Sequence, residues 1–151
     1  MIVTAVYRRT ELLPVPVADV WRTLAAFGDI SSWAPNVSHS RLIDDATPGR
    51  GTTRRVQVGR ISVLETVIEW EPPYRLAYRI EGLPPWLGRI TNEWRLDAEA
   101  ERTRVTIITT VRARGPLPTP LQSIVGRRLA AASEHLLAGL GTHHPHTGVK
   151  P

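Results

Sequence analysis

The sequence predicts an α+β domain, a seven-stranded antiparallel sheet set against one long C-terminal helix. Three observations lead there. Beyond residue 37 the chain is a succession of strand-like runs joined by connections too short for a parallel crossover. Residues 119 to 140 carry a long amphipathic helical pattern. Neither the sheet nor this helix has another large element to bury its apolar face against, so each must cover the other.

Residues 2 to 12 alternate loosely and are rich in Val, Thr and Tyr, the composition of a first strand. Pro14 and Pro16 stop it, and Val17, Val20, Trp21, Leu24 and Phe27 then fall at helical spacing. Pro16 suits a first turn, Asp19 complements the helix dipole and Gly28 is the expected end. Asp29 is placed to cap a second short helix through Ser32 or Trp33, which Pro35 forbids to continue. Two large rings, Phe27 and Trp33, in so short a connection imply that it closes over something. Further strands are expected over residues 37 to 44, 51 to 58, 60 to 71, 74 to 82, 86 to 97 and 102 to 114, divided by TPGRG, VGR, EPPY, GLPP and DAEAER. Gly115, Pro116 and Pro118 close the last one. Thr119 and Pro120 then open the long helix, with Leu121, Ile124, Val125, Leu129, Ala132, Leu136 and Leu140 on one face. Residues 1 to 141 read as a single domain, and residues 142 to 151, rich in His with Gly and Pro, as a mobile tail.

A 151-residue chain buries about 70% of its unfolded surface, enough to dispense with disulfides or a structural metal. The sequence has no cysteine, which excludes thiol catalysis, disulfides and thiolate metal sites. Residues 1 to 13 include Arg8, Arg9 and Glu11 with no apolar run behind them, so neither a signal peptide nor a membrane span is expected. The expectation is a soluble, cytoplasmic protein. The net charge is +5, and all but one of the 19 basic residues are arginine. Many recur at alternate positions, as Arg102, Arg104, Arg112 and Arg114 do, which is the wet face of a strand. A nucleic-acid footprint would instead cluster its charge with interleaved aromatics, so no nucleic-acid partner is expected.

The faces of residues 86 to 114 separate well. Trp86, Ile90, Asn92, Trp94 and Leu96 share one parity, joined on the partner strand by Val105, Ile107, Thr109 and Val111, while Arg and Glu dominate the other. Tyr78 continues the inner face on the preceding strand. An unpartnered buried amide or hydroxyl costs roughly 1–3 kcal/mol, so Asn92 is either hydrogen-bonded internally or facing something wet or ligand-filled, and Thr109 is the other isolated polar group on this face. Together with the indole and phenol rings they describe an apolar pocket with a few polar fixtures. Residues 60 to 71 leave their inward parity open. Glu65 or Glu69 is a candidate acid or base if it points inward, and otherwise pairs with Arg75 or Arg79 outside. The loop GLPPWLG exposes Leu83, Trp86 and Leu87, which suits a pocket rim or a loop folded onto the sheet end.

Catalytic and metal motifs are absent. His39, His135, His143, His144 and His146 have no supporting carboxylate or cysteine pattern, and no phosphate loop or nucleophile elbow occurs. No metal and no cofactor are therefore expected.

The segments PVPVADVWRTLAAFGDISSWAPNV, PGRGTTRRV, VIEWEPPYRLAYRI, NEWRLDA, TRVTIITTV and GRRLAAASEHL, in that order, span nearly the whole chain. Their arrangement resembles the START-like (SRPBCC) helix-grip superfamily, and most closely its bacterial polyketide cyclase/dehydrase and lipid-transport branch. The resemblance implies a curved seven-stranded antiparallel sheet wrapped around the C-terminal helix, two short helices after the first strand, and a hydrophobic cavity between them. The ligand-binding positions it implies are Trp33, Tyr78, Asn92, Trp94, Ile107, Thr109, Ile124 and Arg128, with Trp86 near the entrance. None of these is assigned a catalytic role.

The favoured expectation is a carrier or sensor of an apolar small molecule such as a lipid or polyketide. The alternative is a cyclase or dehydratase acting on an aromatic or polyketide substrate in the same cavity, and Glu65 or Glu69 inside within reach of Tyr78 would favour it. A regulatory or toxin–antitoxin role is the weaker third reading, and a homodimer is compatible with the sequence without being required by it.

Overall fold

The computed structural model describes the backbone of residues 2–44, 47–114 and 119–144, and the side chains of residues 4–44, 47–113 and 126–144. Strand β1 (Ile2–Leu13) leads into helix α1 (Val17–Ala25) and a 3₁₀ segment (Phe27–Ser32). Strands β2 (His39–Leu42), β3 (Thr53–Val58), β4 (Ile61–Glu71), β5 (Arg75–Glu81), β6 (Arg89–Glu99) and β7 (Arg102–Arg114) follow, and α2 (Thr119–His143) ends the fold. The seven strands form one antiparallel sheet in the order β1-β7-β6-β5-β4-β3-β2. Antiparallel hairpin connections make β2 to β7 a meander, and β1 joins at the far edge by pairing with β7 along its length, from Ile2 opposite Arg114 to Leu13 opposite Thr103.

The concave face holds the core. Leu76, Tyr78, Trp94, Leu96, Val105 and Ile107 are each at most 2% exposed. The opposite face is wet, and four of its arginines lie in ion pairs: Arg75 with Glu93, Arg95 with Glu93, Arg79 with Glu81 and Arg104 with Glu99. This is the alternation the sequence implied. Helix α2 packs chiefly on β1 and β7. Its Ser133, Leu136, Leu137 and Leu140 are buried, while Glu134 and His135 face out.

The connection after β1 explains its aromatic content. Pro16 accepts hydrogen bonds from the Asp19 and Val20 amides to start α1, which buries Val20 and Leu24. The helix stops at Ala25, earlier than Gly28, and the 3₁₀ segment begins directly at Phe27. Asp29 is therefore not a cap. It sits inside the segment at φ −101°, ψ 19°, where the backbone kinks. Phe27 is fully buried edge-on to Tyr78, with centroids 5.6 Å apart. Trp33 packs the same way on Trp94 at 6.0 Å. Helix α2 comes so close here that a Cβ on Gly139 would lie 2.3 Å from the Trp33 carbonyl oxygen and 2.5 Å from Pro35.

At its C-terminal end α2 runs to His143, three residues beyond the expected Leu140, and Thr23 of α1 is hydrogen-bonded to His144 at 2.7 Å. The remainder of the expected tail, residues 145 to 151, lies outside the described residues. Among the described residues no helix is long and apolar enough to cross a membrane, and no group of His, Asp and Glu could hold a metal ion.

Candidate ligand-binding cavity

A cavity of about 210 Å³ lies between the sheet and α2. Its walls are mostly aliphatic. Ile30 and Val37 come from the 3₁₀ region and the turn after it, Val56, Val63 and Ile80 from the sheet, and Leu129, Ala132 and Leu136 from α2. Val58, Ile61 and Leu83 also line it and are partly or largely exposed, so they lie towards its opening. The polar side chains in the lining are Asn36, Glu65, Tyr78, Asn92, Thr109 and Ser133.

Four of these form a directed hydrogen-bond chain. The Thr109 Oγ1 to Asn92 Oδ1 distance is 2.6 Å, the length of an O–H···O bond and short for an N–H···O bond. Thr109 therefore donates to the Asn92 carbonyl oxygen. Its own oxygen can then only accept, so Ser133 donates to it across 3.2 Å. The Asn92 amide nitrogen is left facing Tyr78, 3.5 Å from the hydroxyl oxygen, and the Trp94 indole N–H approaches the same oxygen at 3.3 Å. Burial raises the Tyr78 pKa, and the nearby Glu65 charge raises it further against smaller opposing effects of Arg54, Trp94 and Asn92. The phenol thus stays protonated throughout the neutral range.

The second polar unit is a buried ion pair. Arg54 Nε donates to Glu65 Oε1 at 2.8 Å, and Nη1 donates to the Phe27 carbonyl at 2.8 Å. The guanidinium lies 3.7 Å above the Phe27 ring and 4.7 Å from the Tyr78 ring. Both partners are nearly inaccessible, with side chains 3% and 9% exposed. Burying the two charges carries a large desolvation cost, which only this combination of pairing, carbonyl bonding and ring stacking can offset.

The open question about β4 has a split answer. Glu65 points inward and pairs with Arg54, while Glu69 lies outside, 3.8 Å from Arg75. A bulge between Val67 and Glu69 causes the split, because it resets the register from Val67 opposite Tyr78 to Glu69 opposite Ala77. Beyond it Trp70 faces inward and packs edge-on to Trp21 at 5.3 Å.

Of the positions implied by the resemblance, Tyr78, Asn92 and Thr109 line the cavity. Trp94 stands behind Tyr78, and Ile107 is fully buried core; neither is in the lining. Trp33 is buried against Trp94 and lines a separate surface recess with Pro35, Gly139 and His143. Trp86 and Arg128 depart further from expectation. Trp86 is 48% exposed and off the cavity wall, because Pro85–Leu87 form a 3₁₀ turn and Gly88, at φ 78°, breaks the strand before Arg89. Leu83 takes the rim position instead. Arg128 is on the exposed side of α2 and does not reach the cavity. The side chain of Ile124 lies outside the described residues.

Arg54, Asn36 and Ser133 were not anticipated. Arg54 shares strand parity with Val56, a signal available in the sequence. Ser133 lies on the α2 face that carries Leu129 and Leu136, and Asn36 follows the anticipated Pro35 stop without a periodic pattern to mark it.

The family model described as polyketide cyclase/dehydrase and lipid transport matches residues 4–144. Among curated proteins, none matches the sequence. Solved structures share the fold. The Zhui aromatase/cyclase from Streptomyces sp. R1128 aligns with a TM-score of 0.72 at 20% identity, over 97% of this chain and 99% of that one. Ara h 8.0201 aligns at 0.67 and 17% identity, over 91% and 97%. The di-domain ARO/CYC BexL from the BE-7585A biosynthetic pathway aligns at 0.77 and 19% identity over 98% of this chain, which spans about half (51%) of that protein. With its helix-grip sheet, its long C-terminal helix and a family match over nearly its whole length, the chain belongs to the polyketide cyclase/dehydrase and lipid-transport family.

Proposed function

We propose that the protein binds an apolar, ring-containing small molecule in the cavity between the sheet and α2, as its carrier or sensor. The observation that carries this reading is the cavity itself, about 210 Å³ walled by aliphatic side chains. It is larger than the roughly 150 Å³ engineered cavity that accepts benzene and smaller than the roughly 300 Å³ at which drug-sized pockets begin. An occupant of one or two rings, or a short acyl chain, suits that space. Native mass spectrometry after mild purification, with a tryptophan-emission screen of small aromatics, lipids and polyketides, tests it. A co-purifying apolar mass, or saturable quenching, supports the reading; a protein that is always empty and silent to every probe refutes it.

A cyclase- or dehydratase-type enzyme is the second reading, and Glu65 favours it. Glu65 lines the cavity, and the sheet register makes Tyr78 its diagonal neighbour on the same face, since Glu65 is opposite Ile80 and Tyr78 is opposite Val67. A carboxylate beside a protonated phenol is a base–acid arrangement for enolate chemistry. Against it, one oxygen of Glu65 is held by Arg54. Single-turnover assays on a β-hydroxy ketone decide between the two: a carrier returns the ligand unchanged, whereas an enzyme releases water and loses that activity in Glu65→Gln while still binding.

A further inference from the structure

The cavity opens at one end of the sheet, and that end is both apolar and basic. Val58 and Ile61, opposite each other at the β3–β4 turn, are 39% and 52% exposed, and with Leu83 they line the opening. Gly82 sets the β5–β6 loop against this turn, since a Cβ there would lie 3.3 Å from the Ser62 carbonyl oxygen. Trp86, in the same loop, is largely exposed although the loop is firmly tied. The Leu87 and Gly88 amides bond back to the Pro84 and Pro85 carbonyls at 3.0 Å, and Gly88 lies so close to β7 that a side chain there would run into the Arg112 carbonyl. Exposed apolar side chains gathered within a polar surround mark a contact surface.

Charge indicates what covers it. Arg60 sits in the β3–β4 turn, and Arg89 and Arg112 stand directly opposite each other beside the Trp86 turn. All three are exposed, and none has an ion-pair partner among the described residues. Like charges placed opposite each other weaken a sheet. Arg75 and Arg95 are also opposite, but they share Glu93; Arg89 and Arg112 have no such acid and are left for an external anion. Neither connection at the mouth, Gly59–Arg60 or Gly82–Gly88, contains an acid, and the neighbouring Glu81 is held by Arg79. At the other end of the same strands Arg102 and Arg104 stand among Asp97, Glu99 and Glu101, so charge there is balanced. A second copy meeting this patch by its own patch would set these arginines against one another.

We propose that the protein docks on an anionic lipid bilayer with the cavity mouth facing it. Ile61, Leu83 and Trp86 enter the headgroup level, where an indole is favoured, while Arg60, Arg89 and Arg112 meet the acidic headgroups. In that pose the cavity opens onto the acyl chains. The proposal adds a partner to the binding reading above, and its test uses no ligand, so the two can fail separately.

Flotation with vesicles of phosphatidylcholine alone, or of an equal mixture with phosphatidylserine, tests it. The wild type should float with the mixed vesicles only, and be largely released at about 1 M salt, where the screening length falls to about 3 Å. Arg60→Glu and Arg89→Glu should each weaken binding at least about fivefold, whereas Arg102→Glu, the same charge change at the balanced end, should weaken it far less. Each substituted residue is exposed, so the variants should keep the wild-type melting temperature. Trp21, Trp33, Trp70 and Trp94 pack in pairs inside the fold, which leaves Trp86 to report contact. Mixed vesicles whose acyl chains are brominated should therefore quench the wild type more than Trp86→Phe, which still floats. Absence of flotation with the mixed vesicles overturns the proposal. So does equal weakening by Arg60→Glu and Arg102→Glu, which is attraction by the net charge of +5 alone, or quenching that persists undiminished in Trp86→Phe. A dimer in sedimentation that Trp86→Ser dissociates would assign the patch to a second copy and overturn it as well.

Discussion

Arg54 and Glu65 show how a charged pair can be built into an aliphatic wall. Removing one member strands the other in a low-dielectric site, so Arg54→Met should lower the unfolding free energy by about 3–5 kcal/mol, measured by urea denaturation. Arg54→Met combined with Glu65→Leu should recover most of the loss, and a double-mutant cycle with no coupling would contradict the pairing. Glu93, on the opposite face, behaves differently. Desolvation would raise its carboxyl pKa, but hydrogen bonds from Arg95 and Arg75 outweigh this and hold it below the ordinary carboxylate value of 4.5. A pKa depressed in the folded state contributes stability that is present above the unfolded value and is lost as the pH falls through the folded one. The urea midpoint of Glu93→Gln should therefore fall less steeply than the wild type's below about pH 5; equal slopes would show that these bonds do not stabilise the charged form. The pairing of residues 54 and 65 is legible in the sequence once the hairpin is recognised. A two-residue turn at Gly59 and Arg60 sets Val58 opposite Ile61, and counting back sets Arg54 opposite Glu65.

Among the elements, the junction between α2 and the segment after the 3₁₀ turn leaves little room for change. Any side chain at Gly139 would run into the Trp33 carbonyl and Pro35. Gly139→Ala should cost about 1–3 kcal/mol, as overpacking does, even though alanine is the better helix former. An unchanged or raised melting temperature would mean that α2 shifts away from Trp33 without penalty. The strands, α1 and α2 were readable because hydrophobic alternation, proline stops and glycine turns are local signals. The β4 bulge was not readable, because nothing in VLETVIEW says which residue is left unpaired; the register is decided by where Tyr78 and Leu76 of β5 can pack. Trp86 leaves the inner face for a related reason. Strand parity does not run back through Gly88, whose positive φ separates Trp86 from the strand that begins at Arg89.

At the scale of the whole molecule, a ligand that binds only the folded state raises stability in proportion to its occupancy. At a hundred times its Kd the gain is about 2.7 kcal/mol, which should lift the melting temperature by several degrees in a domain of this size. A thermal shift series with a small aromatic compound that quenches tryptophan emission should reach that level at saturation, and an unchanged melting temperature would show that the quenching does not report binding to the folded cavity. The class of fold, the order of its elements, the wet face of arginines and the membership of Tyr78, Asn92 and Thr109 in the inner face are all legible in the chain, because they follow from periodicity along it. The inward turn of Glu65, the retreat of Trp86 and Arg128 from the cavity, and the direction of the hydrogen bonds that end at Tyr78 emerge only once the chain is packed. Those depend on distances between residues far apart in sequence, such as Thr109 and Ser133 or Arg54 and Phe27, which no local pattern encodes.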